Sequence, residues 1–220
     1  MNKKTQSIFS LVAGCFAALV ALLYLISGII ELTNIGDVGG DATAIIYLIL
    51  VVIVALCASA GMCFCGVKLI LGFTKNDDNP KFVKLLAVVF FGYHVLLRLV
   101  LMIFSFDLIG YYGVNFWLPF IVAIIGLVIS FIAIFVKFDA KVNPIFNIAV
   151  HGFGFIAAII ILAIGSTGLG LAALIFNMLM FAVTITYFIF EILIASNGGS
   201  AQPKVEEPKE EEPAKEDSAE

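Results

Sequence analysis

Phe82 to Phe106 reads FVKLLAVVFFGYHVLLRLVLMIFSF, and the fold turns on how this stretch is understood. About 20 apolar residues cross the hydrocarbon core of a bilayer. The stretch is long enough, yet it holds His94 and Arg98 well inside its apolar run, and Arg98 is the single arginine of the chain. The flanking sequence settles the class. A soluble domain is usually about half apolar, whereas here 62% of the residues are hydrophobic and only 13% are charged, gathered in discrete clusters.

Six windows of spanning length lie between those clusters: Ile8 to Ile30, Ala44 to Val67, Leu85 to Phe106, Phe116 to Val136, Ile145 to Ile164 and Leu169 to Ala195. None alternates apolar and polar residues as a barrel strand must. An uninterrupted apolar run satisfies its backbone in lipid only as a helix. The expected fold is therefore all-α: a polytopic six-transmembrane-helix bundle built as three antiparallel hairpins. Residues 1–7 form an N-terminal segment and residues 196–220 a disordered acidic tail, NGGSAQPKVEEPKEEEPAKEDSAE from Asn197, which has no apolar surface to bury. The first window follows Lys3 and Lys4 as a signal peptide would, but a signal's apolar region is about 7 to 15 residues. It is read as an uncleaved first span.

Lysine placement gives the orientation. If the N-terminus is cytoplasmic, Lys3, Lys4, Lys68, Lys75, Lys81, Lys84, Lys137, Lys141, Lys204, Lys209 and Lys215 all fall on the inner side. Glu31, Asp37, Asp41 and Asp107 fall on the other, with no basic residue. This is the positive-inside pattern. It places both termini in the cytoplasm of a cell membrane, and the excess of lysine over arginine suggests a prokaryotic one. Asn79-Pro80 and Asn143-Pro144 read as N-cap followed by first helical residue, and Ser7 as the comparable cap of the first span. Pro119 also falls near a helix start.

Candidate sites are few. Arg98 lies about 21 Å along the helix from Lys84, inside a core about 30 Å thick. Its side chain leans toward the helix N-terminus, and burying an arginine near mid-membrane costs about 2.5 to 3.5 kcal/mol on insertion scales. An acidic partner is expected, with Glu31 favoured over Asp107. His94 is on the same helical face four residues earlier, and Ser105 continues the stripe. Two readings follow: a buried polar site lining a cavity, or a structural lock in which Arg98 pairs with Glu31 and His94 donates to a carbonyl.

His151, near Gly154 and Ala158, reads as a helix-to-helix hydrogen bond, since small residues at that spacing let helices approach closely. Asn177 is expected to bond to the small residues of the fifth span, and Glu191 to pair at the membrane interface near Lys137 and Lys141. Cys63 and Cys65 are about 200° apart on a helix and cannot share a metal. Cys15, Cys57, Cys63 and Cys65 read as small packing residues. Tyr111, Tyr112, Phe116 and Trp117 form an interfacial aromatic belt.

No nucleophile elbow, zinc-protease motif, P-loop or dinucleotide glycine pattern occurs. No enzyme activity, cofactor, metal or nucleic-acid partner is expected. The leading expectation is a non-catalytic membrane protein that assembles with other membrane subunits, or with a basic cytosolic protein through Glu206, Glu207, Glu210, Glu211 and Glu212 of its tail. The alternative is a small transporter or channel component with a buried polar site at Arg98, His94 and Glu31.

Overall fold

The structure is a computed structural model, and it describes residues 3–37, 39–75, 80–104, 113–164 and 168–198. Among these residues there are six long helices and no strand: α1 (Lys3–Asn34), α2 (Ala42–Lys75), α3 (Pro80–Phe104), α4 (Val114–Phe135), α5 (Val142–Ala163) and α6 (Gly168–Gly198). All six are long and apolar enough to span a bilayer, so the protein is a multi-pass integral membrane protein. Ser105, Asp107, Asn79, Tyr111, Tyr112 and the tail glutamates lie outside the described residues.

The helices run past most of the apolar windows because a helix can carry its polar ends into the headgroup region without losing its internal hydrogen bonds. Three cap expectations are corrected. Ser7 is inside α1, its hydroxyl donating to the Lys3 carbonyl at 3.2 Å. Asn143 is within the first turn of α5, which begins at Val142, and no side chain caps that helix. Pro119 lies inside α4 and not at its start. Pro80 does open α3, and Asp41 caps α2, its carboxylate accepting the Thr43 amide at 2.9 Å.

Each helix packs on its chain neighbours, and α1 also packs along α6, so the three hairpins close into a ring. The α1–α6 seam is antiparallel, with Phe9 against Phe190 at 5.0 Å and Phe16 against Phe176 at 6.2 Å between ring centroids. α3 leans inward and touches α1 and α5 as well as α2 and α4. It consequently carries much of the centre: Val83, Leu86, Ala87, Phe90 and Phe91 have no exposure at all.

Lipid tails are as apolar as leucine, so hydrophobic burial gives little drive between helices and close packing must supply it. Small residues allow that closeness. At the α1–α2 crossing a Cβ on Gly66 would stand 2.8 Å from the Gly14 carbonyl oxygen. The Phe91 ring occupies the notch over Gly126, and Phe181 fills the one over Gly154. Ser59 of α2 donates to the Ala21 carbonyl of α1 at 2.7 Å, a buried bond between helices. Ile53, Ile103, Val128, Ile156 and Leu179 stay exposed on the outer faces, as lipid-facing positions would.

One end of the bundle carries the start of α1, α3 and α5 and the close of α2, α4 and α6, so both described ends of the chain lie there. Every described lysine is on this terminal face or within two turns of it.

Candidate functional site

Two polar regions lie in the bundle, near opposite ends. Toward the terminal face, Lys84 of α3 donates to the Ala133 carbonyl of α4 at 3.0 Å and to the Asn143 side-chain oxygen of α5 at 2.7 Å. Asn147, one turn on, donates to the Asn143 carbonyl at 2.6 Å. His151 continues the line, with Nδ1 2.9 Å from the Asn147 carbonyl and Nε2 3.1 Å from the Val83 carbonyl across on α3. His151 is thus a contact between helices, as its small-residue surroundings implied, although its partner helix is α3. A neutral ring has one N–H, so it donates to one of these two carbonyls at a time. The cluster ties α3, α4 and α5 together through side-chain hydrogen bonds.

The second region is different. In the half of the bundle away from the termini, a cavity of about 170 Å³ lies between α1, α3, α5 and α6. From α3 it is lined by Tyr93, His94, Leu97 and Arg98, which the helical repeat places on one inward side. Tyr24 and Ser27 of α1 face them, and Leu169 and Gly170 from the first turn of α6 close one wall. The Tyr24 and Tyr93 rings stack with centroids 4.3 Å apart, and the His94 ring is held edge-on between Phe90 at 4.7 Å and Tyr93 at 5.1 Å.

The expected Arg98–Glu31 ion pair is not formed. Arg98 Nη1 instead reaches back one turn, to the His94 carbonyl at 3.4 Å and His94 Nδ1 at 3.5 Å. The Glu31 carboxylate accepts from Asn34 at 3.3 Å. The reason is geometric: the lean of the side chain toward its own N-terminus brings the guanidinium to the preceding turn before it can cross to the end of α1. His94 does not donate to a carbonyl either. An arginine nitrogen can only donate, so Nδ1 facing it is the acceptor and the ring proton sits on Nε2. That Nε2 is buried with no hydrogen-bond partner.

Asn177 is buried, but it bonds to α1 and its own helix, not to α5: its amide donates to the Tyr24 hydroxyl at 3.3 Å and to the Ala173 carbonyl at 2.8 Å. Since Tyr24 oxygen accepts, its own O–H remains to donate. The polar side of the cavity thus carries one cation with Tyr24, Tyr93 and His94 beside it, and among the described residues no carboxylate lines it.

Tyr24, Ser27 and Tyr93 were not among the sequence candidates. Their signal was present: Tyr24, Ser27 and Glu31 follow at helical spacing along one side of the first span, and tyrosines within a span differ from those in an interfacial belt. At the terminal face a broad groove of about 750 Å³ is lined by Lys3, Lys4, Tyr187 and Glu191, which puts Glu191 beside the N-terminal lysines. Among the described residues no three His, Cys, Asp or Glu side chains converge to hold a metal ion. Comparison of the chain with protein-family profiles, curated proteins and solved structures yields no match.

Proposed function

We propose that the protein is a solute-binding membrane component, a small carrier or channel subunit, and that its binding site is the cavity at Arg98 and His94. One observation carries this reading: the only arginine of the chain borders a cavity within a span, with no acidic partner among the described residues. An ionisable group held inside a membrane is costly and marks a functional pathway by default. A purely structural arginine would be sealed against an acid.

The test uses the purified full chain in lipid nanodiscs, with thermal unfolding followed against small anionic, neutral and cationic solutes. At least one charge class should raise Tm in a saturable way, and Arg98→Ala should abolish that rise while Arg98→Lys keeps part of it. Loss of the solute effect with an unchanged ligand-free Tm separates binding from folding. No response to any class would remove this reading.

The lysines at the terminal face support an inside location for both termini, which directs the cavity toward the outer leaflet. Fused after Glu220, a fluorescent protein that folds only in the cytoplasm should be bright, and a phosphatase active only outside should be silent. The reverse result would turn the topology over.

A further inference from the structure

Resting on that reading of the cavity as a solute site, we propose that its ligand is a short monocarboxylate with an apolar tail of a few carbons. The charge comes from the donor set. Arg98 offers a planar fork that matches a carboxylate in two parallel hydrogen bonds. The His94 ring stands beside the guanidinium in the same wall, and Tyr24 has a hydroxyl hydrogen to give. The Tyr24 hydroxyl and the Arg98 fork both donate into the cavity, and among the described residues no acidic side chain lines it to balance the partly buried cation.

A second observation points the same way. The first turn of α6 faces the cavity through Leu169 and Gly170, and a Cβ on Gly170 would meet nothing within 4 Å. The unpaired amides of a helix's first turn and its dipole favour an anion, and the missing side chain leaves room for one to approach. A single arginine balances a single charge, so a monoanion fits better than a dicarboxylate.

The tail and its length come from the rest of the wall. Away from the donors the cavity is bounded by Leu23, Leu97, Ile161 and Leu174. An apolar cavity of about 150 Å³ accommodates a benzene molecule, so 170 Å³ holds roughly five to eight non-hydrogen atoms. Inorganic anions would leave the apolar wall without contacts, and a phospholipid headgroup with its glycerol would exceed the volume.

The experiment measures affinities of acetate, butyrate, hexanoate, benzoate and decanoate at neutral pH, by calorimetry on the full chain in nanodiscs of neutral lipid. Butanol, butylammonium, chloride and phosphate serve as comparisons. Affinity should rise about fourfold for each methylene added from acetate to butyrate, fall by decanoate, and be absent for butanol and butylammonium. Arg98→Ala should weaken butyrate about 30-fold. Gly170→Leu, whose Cβ meets no atom within 4 Å but whose side chain takes the room beside the α6 amides, should weaken every carboxylate of the series, acetate included. Equal binding of neutral or cationic congeners would overturn the carboxylate assignment while leaving the cavity a solute site. Phosphate or chloride binding without any dependence on chain length would overturn the apolar tail. Loss of butyrate binding in nanodiscs made with anionic lipid would identify a lipid headgroup as the occupant and overturn a soluble ligand. Silence across the whole panel would count against the solute site itself.

Discussion

Gly66→Leu is expected to separate α1 from α2 and to destabilise the bundle by about 3 kcal/mol or more, the upper part of the range for overpacking a tight contact. The argument rests on what the added atoms meet. A Cβ at this position would come within 2.8 Å of the Gly14 carbonyl oxygen and 3.2 Å of the Ala18 amide nitrogen, both main-chain atoms of α1. A flexible side chain could swing aside. A helix backbone moves only as a body, and moving it would undo the Ser59 bond to the Ala21 carbonyl and the packing of Ala13 and Ala17 along the same crossing. Gly170→Leu offers the internal comparison, because it adds the same side chain where nothing stands within 4 Å and should leave the midpoint nearly unchanged. Unfolding in mixed micelles, followed by helical circular dichroism, reads the difference. Equal midpoints for the two variants would show that the α1–α2 crossing has slack that the geometry denies.

Lys84→Ala ranks second, at about 2 kcal/mol for its two bonds together: a buried hydrogen bond to a charged group contributes roughly 1.5 to 3 kcal/mol, and partial exposure of the ammonium screens both. Lys84 of α3 reaches both α4 and α5 through its ammonium group, at Ala133 and Asn143. Without it the Asn143 oxygen keeps only the Asn147 amide at 3.3 Å, beyond the ideal range. A double-mutant cycle with Asn143→Ala should return a coupling near 1 kcal/mol, within the range for contacting residues. Additive effects would mean the two side chains act independently.

What the sequence made legible was set by the kind of physics involved. The six spans follow from the length of apolar runs against a bilayer of fixed thickness, and nothing in the packing can alter that sum. His151 as a contact between helices followed from its setting among small residues. The Arg98 partner did not follow, because depth along two helices says which residues share a level and not which way a long side chain bends. Here the bend toward the preceding turn wins, and Glu31 is left to Asn34. Asn143 shows a related limit. Asn before Pro is a sound capping signal, but the chain starts its helix one residue earlier and gives the side chain to a lysine 59 positions away. The cavity was invisible for a further reason: it is a gap between four helices, and spacing within any one of them does not encode it. Its tyrosines carried the trace.

The closed ring also dictates an order of events. A chain is made from its N-terminus, so α1 and α2 can meet at the Gly14–Gly66 crossing before α6 exists, and the other side of α1 has no α6 to pack on until then. The seam formed by Phe9 and Phe16 is completed only by Phe190 and Phe176 of the last helix, and Tyr24 meets Asn177 at the same moment. The cavity's walls from the first and last helices therefore come together only once synthesis has passed α6. Without α6 the other five helices form an open arc, and the cavity has its full wall only once α6 is in place.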